Sequence, residues 1–317
     1  MSSKSNHVFA VDLGGTHLRT AAIDEIGNIH HRTKFSTPDT SRPDDIVRAI
    51  VDAERACERE VGIASTCVAV PGTVDVEKGL VLSIPNVASL KGFHLAEALQ
   101  SELKHPVIVE NDANAAAMGE LWMGAARDTR TMICITLGTG VGGGIILDGK
   151  LWRGVDGSAG EIGHTSIEPH GGVICGCGSE GCLEVYASAT GLVRMFNESR
   201  EDVSNSILRH VDEVTARQIY RAAQDGDDLA LKVFRQMGEY LGIGLSMLVN
   251  ILNPEMIVIG GGVANAWQLF GEHAIQEMRS RAFPLPGSRV RIKPAECGDN
   301  AGLLGGARIA FGTFDRK

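Results

Sequence analysis

Met132-Ile133-Cys134-Ile135-Thr136-Leu137, then Gly138-Thr139-Gly140-Val141-Gly142-Gly143-Gly144, then Ile145-Ile146-Leu147, reads as two strands joined through a glycine turn. Short β-branched runs that stop at glycine give this signal. The same arrangement opens the chain: Val8-Phe9-Ala10-Val11-Asp12 meets Gly14-Gly15, and residues 18–23 resume as an apolar segment before Gly27-Asn28. A pattern that starts twice predicts two related α/β lobes.

Working outward, a polar loop over residues 36–42 precedes a helix at 44–61, where Ile46, Ile50, Val51, Ala53 and Cys57 recur at helical spacing. Strands are expected at 67–70 and 107–109, with a helix at 95–103 between them and an Ala-rich helix at 113–121 after them. Residues 155–183 are the least regular stretch. Beyond it come a helix at 229–252, a strand at 256–259 running into Gly260-Gly261-Gly262, a strand at 290–292 and an apolar helix at 303–311. The expected division is a small lobe, residues 1–112 joined by the C-terminal helix 303–317, and a large lobe, residues 113–302.

Composition narrows the function. The 317 residues are 44% hydrophobic and 22% charged, which suits a packed core and excludes fibrous or wholly disordered chains. Thirty basic against thirty-nine acidic residues give a net charge of −9, the wrong sign for gripping nucleic acid or anionic lipid, so a small-molecule partner is expected. Glycine is in excess, 39 of 317 residues. Met1 to His7 is polar and has no apolar signal region, and the apolar run 241–252 contains Gly, Ser and Asn and cannot span a bilayer. Seven cysteines, an odd number, point to reduced thiols and a cytoplasmic location.

The two glycine turns offer backbone N–H groups suited to polyphosphate. Neither fits the P-loop or dinucleotide pattern, and either alone is equally compatible with a tight hairpin that binds nothing. His164, Cys175, Cys177 and Cys182 supply one imidazole and three thiols, a set that suits tetrahedral zinc. Four protein ligands would saturate the metal and make it structural. Glu110-Asn111-Asp112-Ala113-Asn114 lies where a strand meets a helix. Taken alone, Asn and Asp there are better explained by helix capping than by a general base at the C-terminal end of a strand, the functional alternative. Glu161 and Glu184, each taken alone, read as solvated charges.

These motifs together resemble the ROK family of sugar kinases and repressors, within the actin, heat-shock ATPase and hexokinase superfamily. The resemblance runs from Phe9 through Ala307 and rests on six motifs in order. They are Asp12-Leu13-Gly14-Gly15-Thr16 with Arg19, the segment 110–116, the turn 137–144, Gly160-Glu161-Ile162-Gly163-His164, the cysteine segment 175–184 and Ile259-Gly260-Gly261-Gly262.

The resemblance implies two ribonuclease-H-like lobes with a cleft between them, and ATP-dependent phosphorylation of a hexose at its 6-hydroxyl, glucose first. By analogy Asp112 takes the hydroxyl proton. Asn111, Glu161, His164 and Glu184 hold other hydroxyls with backbone near Gly72, and one ring nitrogen of His164 binds the structural zinc while the other faces the sugar. Asp12, Gly14, Gly15 and Thr16, with Gly138, Thr139 and Gly140, hold the phosphates with magnesium near Asp12, and Gly260, Gly261 and Gly262 border the adenosine. A homodimer is expected. Members of the family often carry a tryptophan soon after the Pro-Asn that here is Pro85-Asn86. This chain has Val87-Ala88-Ser89-Leu90-Lys91-Gly92 instead, so N-acetylmannosamine, N-acetylglucosamine and fructose stay open as substrates. A sugar-responsive repressor is disfavoured, because only seven residues precede Val8.

Overall fold

The computed structural model describes residues 7–38, 42–84, 87–199 and 206–314. Its elements run β1 (His7–Leu13), β2 (His17–Ile23), β3 (Ile29–Ser36), α1 (Pro43–Glu58), β4 (Ile63–Val70), β5 (Thr73–Asp75), β6 (Leu80–Ser83), α2 (Leu95–Leu103), β7 (Val107–Asn111) and α3 (Asp112–Trp122). They continue as β8 (Met132–Leu137), β9 (Val141–Leu147), β10 (Lys150–Leu151), α4 (Glu184–Ala187), α5 (Ala189–Ser199), α6 (Ala216–Gln224), α7 (Asp228–Leu252), β11 (Met256–Gly260), α8 (Trp267–Arg281), α9 (Pro284–Arg289), β12 (Arg291–Pro294) and α10 (Ala301–Phe314). The described residues divide into two units, one within 1–130, 144–160 and 296–317, the other within 131–143 and 161–295.

The first unit is built on a five-stranded sheet in the order β3-β2-β1-β4-β7. Strands β1, β2 and β3 pair antiparallel, whereas β1, β4 and β7 run parallel. Successive side chains of a strand leave opposite faces. Phe9, Val11 and Leu13 therefore join Ile46 and Ile50 of α1 and Leu95 and Leu99 of α2 in one core. Val8 and Ala10 join Ala115 of α3 with Leu303 and Ala307 of α10 in another. Helices on both faces explain why β1 is apolar from Val8 through Val11 rather than alternating. Phe9 is fully buried, and burial of a side chain of this size contributes about 1.5–3 kcal/mol.

The second sheet has the order β10-β9-β8-β11-β12; β8, β11 and β12 run parallel, and β9 and β10 antiparallel. From Gly144 onward β9 and β10 group with the first unit. Ile133, Ile135, Leu137, Ile257 and Ile259 pack with Met237, Leu241 and Leu245 of α7 and Phe270 and Ala274 of α8. Helix α7 starts where the Asp227 carboxylate accepts the Ala230 N–H at 2.9 Å, and ends at Asn253 in the left-handed region, φ 45°.

The expected α/β architecture with mixed sheets is present, and the sequence repeat corresponds to two sheets of the same strand order. The division differs from the expected one at 112. Helix α3 packs with α10 onto the first sheet, through Ala115, Leu303 and Ala307, so the first unit runs past residue 112. Residues 155–183 are irregular, broken by one short turn of 3-10 helix, Ile162–His164. Pro85-Asn86 lies outside the described residues, as do 39–41 of the polar loop and 315–317 of the C-terminal helix. Among the described residues no helix is long and apolar enough to cross a membrane.

Candidate active site

In the first unit the site residues gather where β7 runs into α3. Asn111 is the N-cap: its backbone is extended, φ −68° and ψ 143°, and its Oδ1 accepts the Asn114 N–H at 2.9 Å. Its Nδ2 donates to the Gly72 carbonyl at 2.9 Å and to Asp112 Oδ1 at 3.3 Å. Asp112 is the first residue of α3, half-buried, with Oδ1 also accepting the Ala113 N–H at 2.8 Å. The cap therefore falls on Asn111 and leaves the Asp112 carboxylate outside it. Asn111 caps, and Asp112 holds a carboxylate at a helix N-terminus, where the aligned peptide dipoles favour negative charge.

Gly72 has φ 108°, and a Cβ there would run into the Ser83 carbonyl. Only glycine turns the chain so as to present its carbonyl to Asn111. Glu110, one residue earlier, is fully buried. Its Oε2 accepts Nε and Nη2 of Arg153 at 2.8 and 2.7 Å, and its Oε1 accepts the Asn111 N–H and Asn114 Nδ2, both at 3.0 Å. Sequence reading did not single out Arg153.

The first glycine turn closes through Gly14 N–H to the His17 carbonyl at 2.9 Å, and Thr37 Oγ1 donates to the Gly14 carbonyl at 2.6 Å. Gly15 and Thr16 are exposed at its tip. Asp12 beside it pairs with Arg19 Nη1 at 3.0 Å. Burial pushes the Asp12 carboxyl above its usual range, Arg19 opposes the shift, and Asp299 adds to it.

In the second unit the turn after β8 closes through Gly138 N–H to the Gly140 carbonyl at 2.9 Å. Gly261 has φ 85°, and a Cβ there would meet the Leu137 carbonyl, so the third glycine cluster lies directly against the start of this turn. Glu184 Oε2 accepts the Val141 N–H at 2.9 Å, and its Oε1 is 3.9 Å from Cys175 Sγ. His164 Nδ1 is 3.6 Å from Cys175 Sγ, while Nε2 lies 3.8 Å from Glu161 Oε2. Three of the residues expected near sugar, Glu161, His164 and Glu184, are thus assembled around the cysteines.

His164, Cys175, Cys177 and Cys182 place one potential ligand atom each within 4.8 Å of one another. Zinc with sulfur at about 2.3 Å and nitrogen at about 2.0–2.1 Å would set tetrahedral edges of roughly 3.6–3.8 Å. The Cys177–Cys182 sulfurs are 3.7 Å apart and the Cys175–His164 pair 3.6 Å, so the residues fit the metal. Hydrogen bonds from Ser179 bring the Cys177 thiol down to about 6. Burial pushes Cys182 up to about 12 and Cys175 upward. Three thiols so close ionise together only with a cation among them.

The ROK family model matches residues 8–312. The chain is 37% identical over 308 residues to a glucokinase of Halalkalibacterium halodurans, covering 93% of this chain and 92% of that one. It is 34% identical to an N-acetylmannosamine kinase of Salmonella typhi, covering 96% and 98%. Among solved structures, a ROK family glucokinase from Streptomyces griseus in complex with glucose and AMPPNP superposes with a TM-score of 0.82 at 34% identity, covering 96% of this chain and 99% of that one. With the glycine turns, the Asn111-Asp112 pair and the cysteine cluster in place, the chain belongs to the ROK family.

Proposed function

We propose that the protein is an ATP-dependent hexose kinase whose preferred acceptor is glucose, giving glucose 6-phosphate and ADP. The observation that carries this reading is the pair at the start of α3: a half-buried Asp112 carboxylate beside an Asn111 side chain clamped to the Gly72 carbonyl at 2.9 Å. Similarity to glucokinases over more than nine-tenths of the chain supports it.

On this reading Asp112 accepts the proton of the sugar 6-hydroxyl as its oxygen attacks the γ-phosphorus, the bond to the β–γ bridging oxygen breaks, and ADP leaves with that electron pair. Asn111 orients the sugar, and Glu161, His164 and Glu184 are assigned to its other hydroxyls. Phosphoryl transfer depends chiefly on positioning and charge neutralisation. The N–H groups near Gly14, Gly15 and Thr16, and near Gly138, Thr139 and Gly140, are assigned to phosphate, and Gly260, Gly261 and Gly262 to the adenosine side.

Two metals belong to the proposal. Zinc on His164 Nδ1 and the three cysteines would be structural, fixing the ring so that Nε2 turns toward Glu161. Magnesium would use Asp12, since that ion is commonly held by one or two carboxylates together with substrate phosphates. Asp12 fits, being a carboxylate beside a glycine turn whose charge is only partly met by Arg19. Magnesium bound there would neutralise charge on the phosphates. A homodimer in the cytoplasm completes the reading.

An ADP-release assay across glucose, mannose, fructose, N-acetylglucosamine and N-acetylmannosamine tests it. The highest kcat/KM is expected with glucose. ADP release with none of them overturns the kinase reading. A preference for N-acetylmannosamine would favour the second reading, which the 34% identity to such a kinase supports.

A further inference from the structure

Glu110 is a fully buried carboxylate with four donors on it, two from the segment that bears Asn111 and Asp112 and two from Arg153. Oε1 accepts the Asn111 N–H and the Asn114 side-chain amide, each at 3.0 Å. Oε2 is gripped by Nε and Nη2 of Arg153, at 2.8 and 2.7 Å. Arg153 comes from a distant part of the sequence, just after β10. Its own loop is closed by Ala159 N–H to the Arg153 carbonyl at 3.1 Å. A buried carboxylate holds its place only while its charge is met by hydrogen-bonded positive charge, so the position of the Asn111 amide and of the first turn of α3 depends on this guanidinium.

We infer that Arg153, acting through the buried Glu110 carboxylate, is a positioning residue that holds Asn111 and Asp112 in the geometry needed for phosphoryl transfer. Its catalytic part rests on the kinase reading above; its structural part does not. Arg153 has no place in the chemistry itself. Two nitrogens of its rigid fork close on a single oxygen, a grip that one ammonium cannot reproduce. Holding the reacting groups in register is worth orders of magnitude in rate, so loosening this support would act on turnover more than on nucleotide binding.

The test uses the full-length protein as wild type, Arg153→Met and Arg153→Lys, with two readouts. In hydrogen exchange, Arg153→Met should speed exchange at least tenfold over residues 107–118 and leave 7–23 unchanged. In ADP release with saturating glucose and ATP, kcat should fall roughly 10- to 100-fold, as expected for loss of a supporting contact, with the KM for ATP within twofold. Arg153→Lys should recover part of the loss. The same change in an Asp112→Asn background should cost little more, because one residue works through the other. Unaltered exchange over 107–118, or unaltered kcat in a folded variant, overturns the assignment. If Arg153→Met does not fold, Arg153→Lys decides: a threefold or greater loss of kcat supports the role, and wild-type kcat ends it. A wild-type protein that phosphorylates no sugar, yet shows the exchange effect, removes the kinase reading and leaves the positioning of residues 110–114 standing.

Discussion

Asp112 occupies a position that helix chemistry alone would fill with an acid, so its identity does not separate a capping role from a chemical one. The hydrogen bonds assign the cap. Asn111 takes the cap by accepting from the Asn114 N–H, and Asp112 keeps its carboxylate at the mouth of the helix with Asn111 Nδ2 and the Ala113 N–H on Oδ1. An Asp112→Asn protein keeps the shape and much of this hydrogen bonding but cannot take up a proton. Its kcat is expected to fall by about 10²- to 10⁴-fold, equivalent to roughly 3–5 kcal/mol of barrier, while calorimetry still finds glucose binding close to wild type. Turnover near wild type would remove Asp112 from the base role. Arg153 was invisible in the sequence for a related reason. Its partner Glu110 lies 43 positions away, and a single arginine in a glycine-rich loop carries no local pattern to mark it.

At the level of elements, the signal was strong wherever breakers bounded apolar runs. The helix Leu95–Leu103 and the strand Met132–Leu137 have the expected limits. Strand β3 went unread because it is a half-solvated edge strand, Ile29-His30-His31-Arg32-Thr33-Lys34-Phe35-Ser36, with few apolar residues to alternate. Helix α8 went unread because its buried stripe is partly Gly271 and Ala274, which add little hydrophobic pattern. The cysteine segment shows the opposite case, since four metal-ligating residues at short spacing declare themselves without regular structure around them. If zinc holds this loop, Cys177→Ala should lose the metal by elemental analysis and raise the KM for glucose by about 10- to 100-fold. Unchanged metal content would count against the site. The turn between β2 and β3 carries a separate prediction about pH. Slight burial works against ionisation of Asp24, but hydrogen bonds from His30, Asn28 and Ile26 outweigh it and bring the carboxyl down to about 2 from an ordinary 3.8. A lowered carboxylate stabilises the fold above its unfolded pKa and loses that contribution as pH falls through the folded value. Asp24→Ala should therefore lower Tm at neutral pH, and the gap to wild type should close between about pH 4 and pH 2. A gap that stays constant across that window would refute the assignment.

Across the whole molecule, helices pack around two sheets whose strands follow one order: third, second, first, fourth, fifth. The chain visits the first unit three times, within residues 1–130, 144–160 and 296–317. Its glycine turns and its Asp-bearing strand end are therefore set by a core assembled from distant segments rather than by any local piece. A ligand that binds only this assembled state stabilises it by mass action, whatever the identity of the individual contacts. At one hundred times its Kd, glucose should add about 2.7 kcal/mol. For units of this size that corresponds to a rise in Tm of roughly 5–10 °C. N-acetylmannosamine at the same concentration should raise Tm by less. This comparison needs no catalysis, so it separates recognition of the sugar from transfer of the phosphoryl group. A larger rise with N-acetylmannosamine would transfer the substrate assignment to that sugar even if the Asp112 variant behaves as expected, because the base at the 6-hydroxyl is common to both readings and the contacts to the rest of the ring are not.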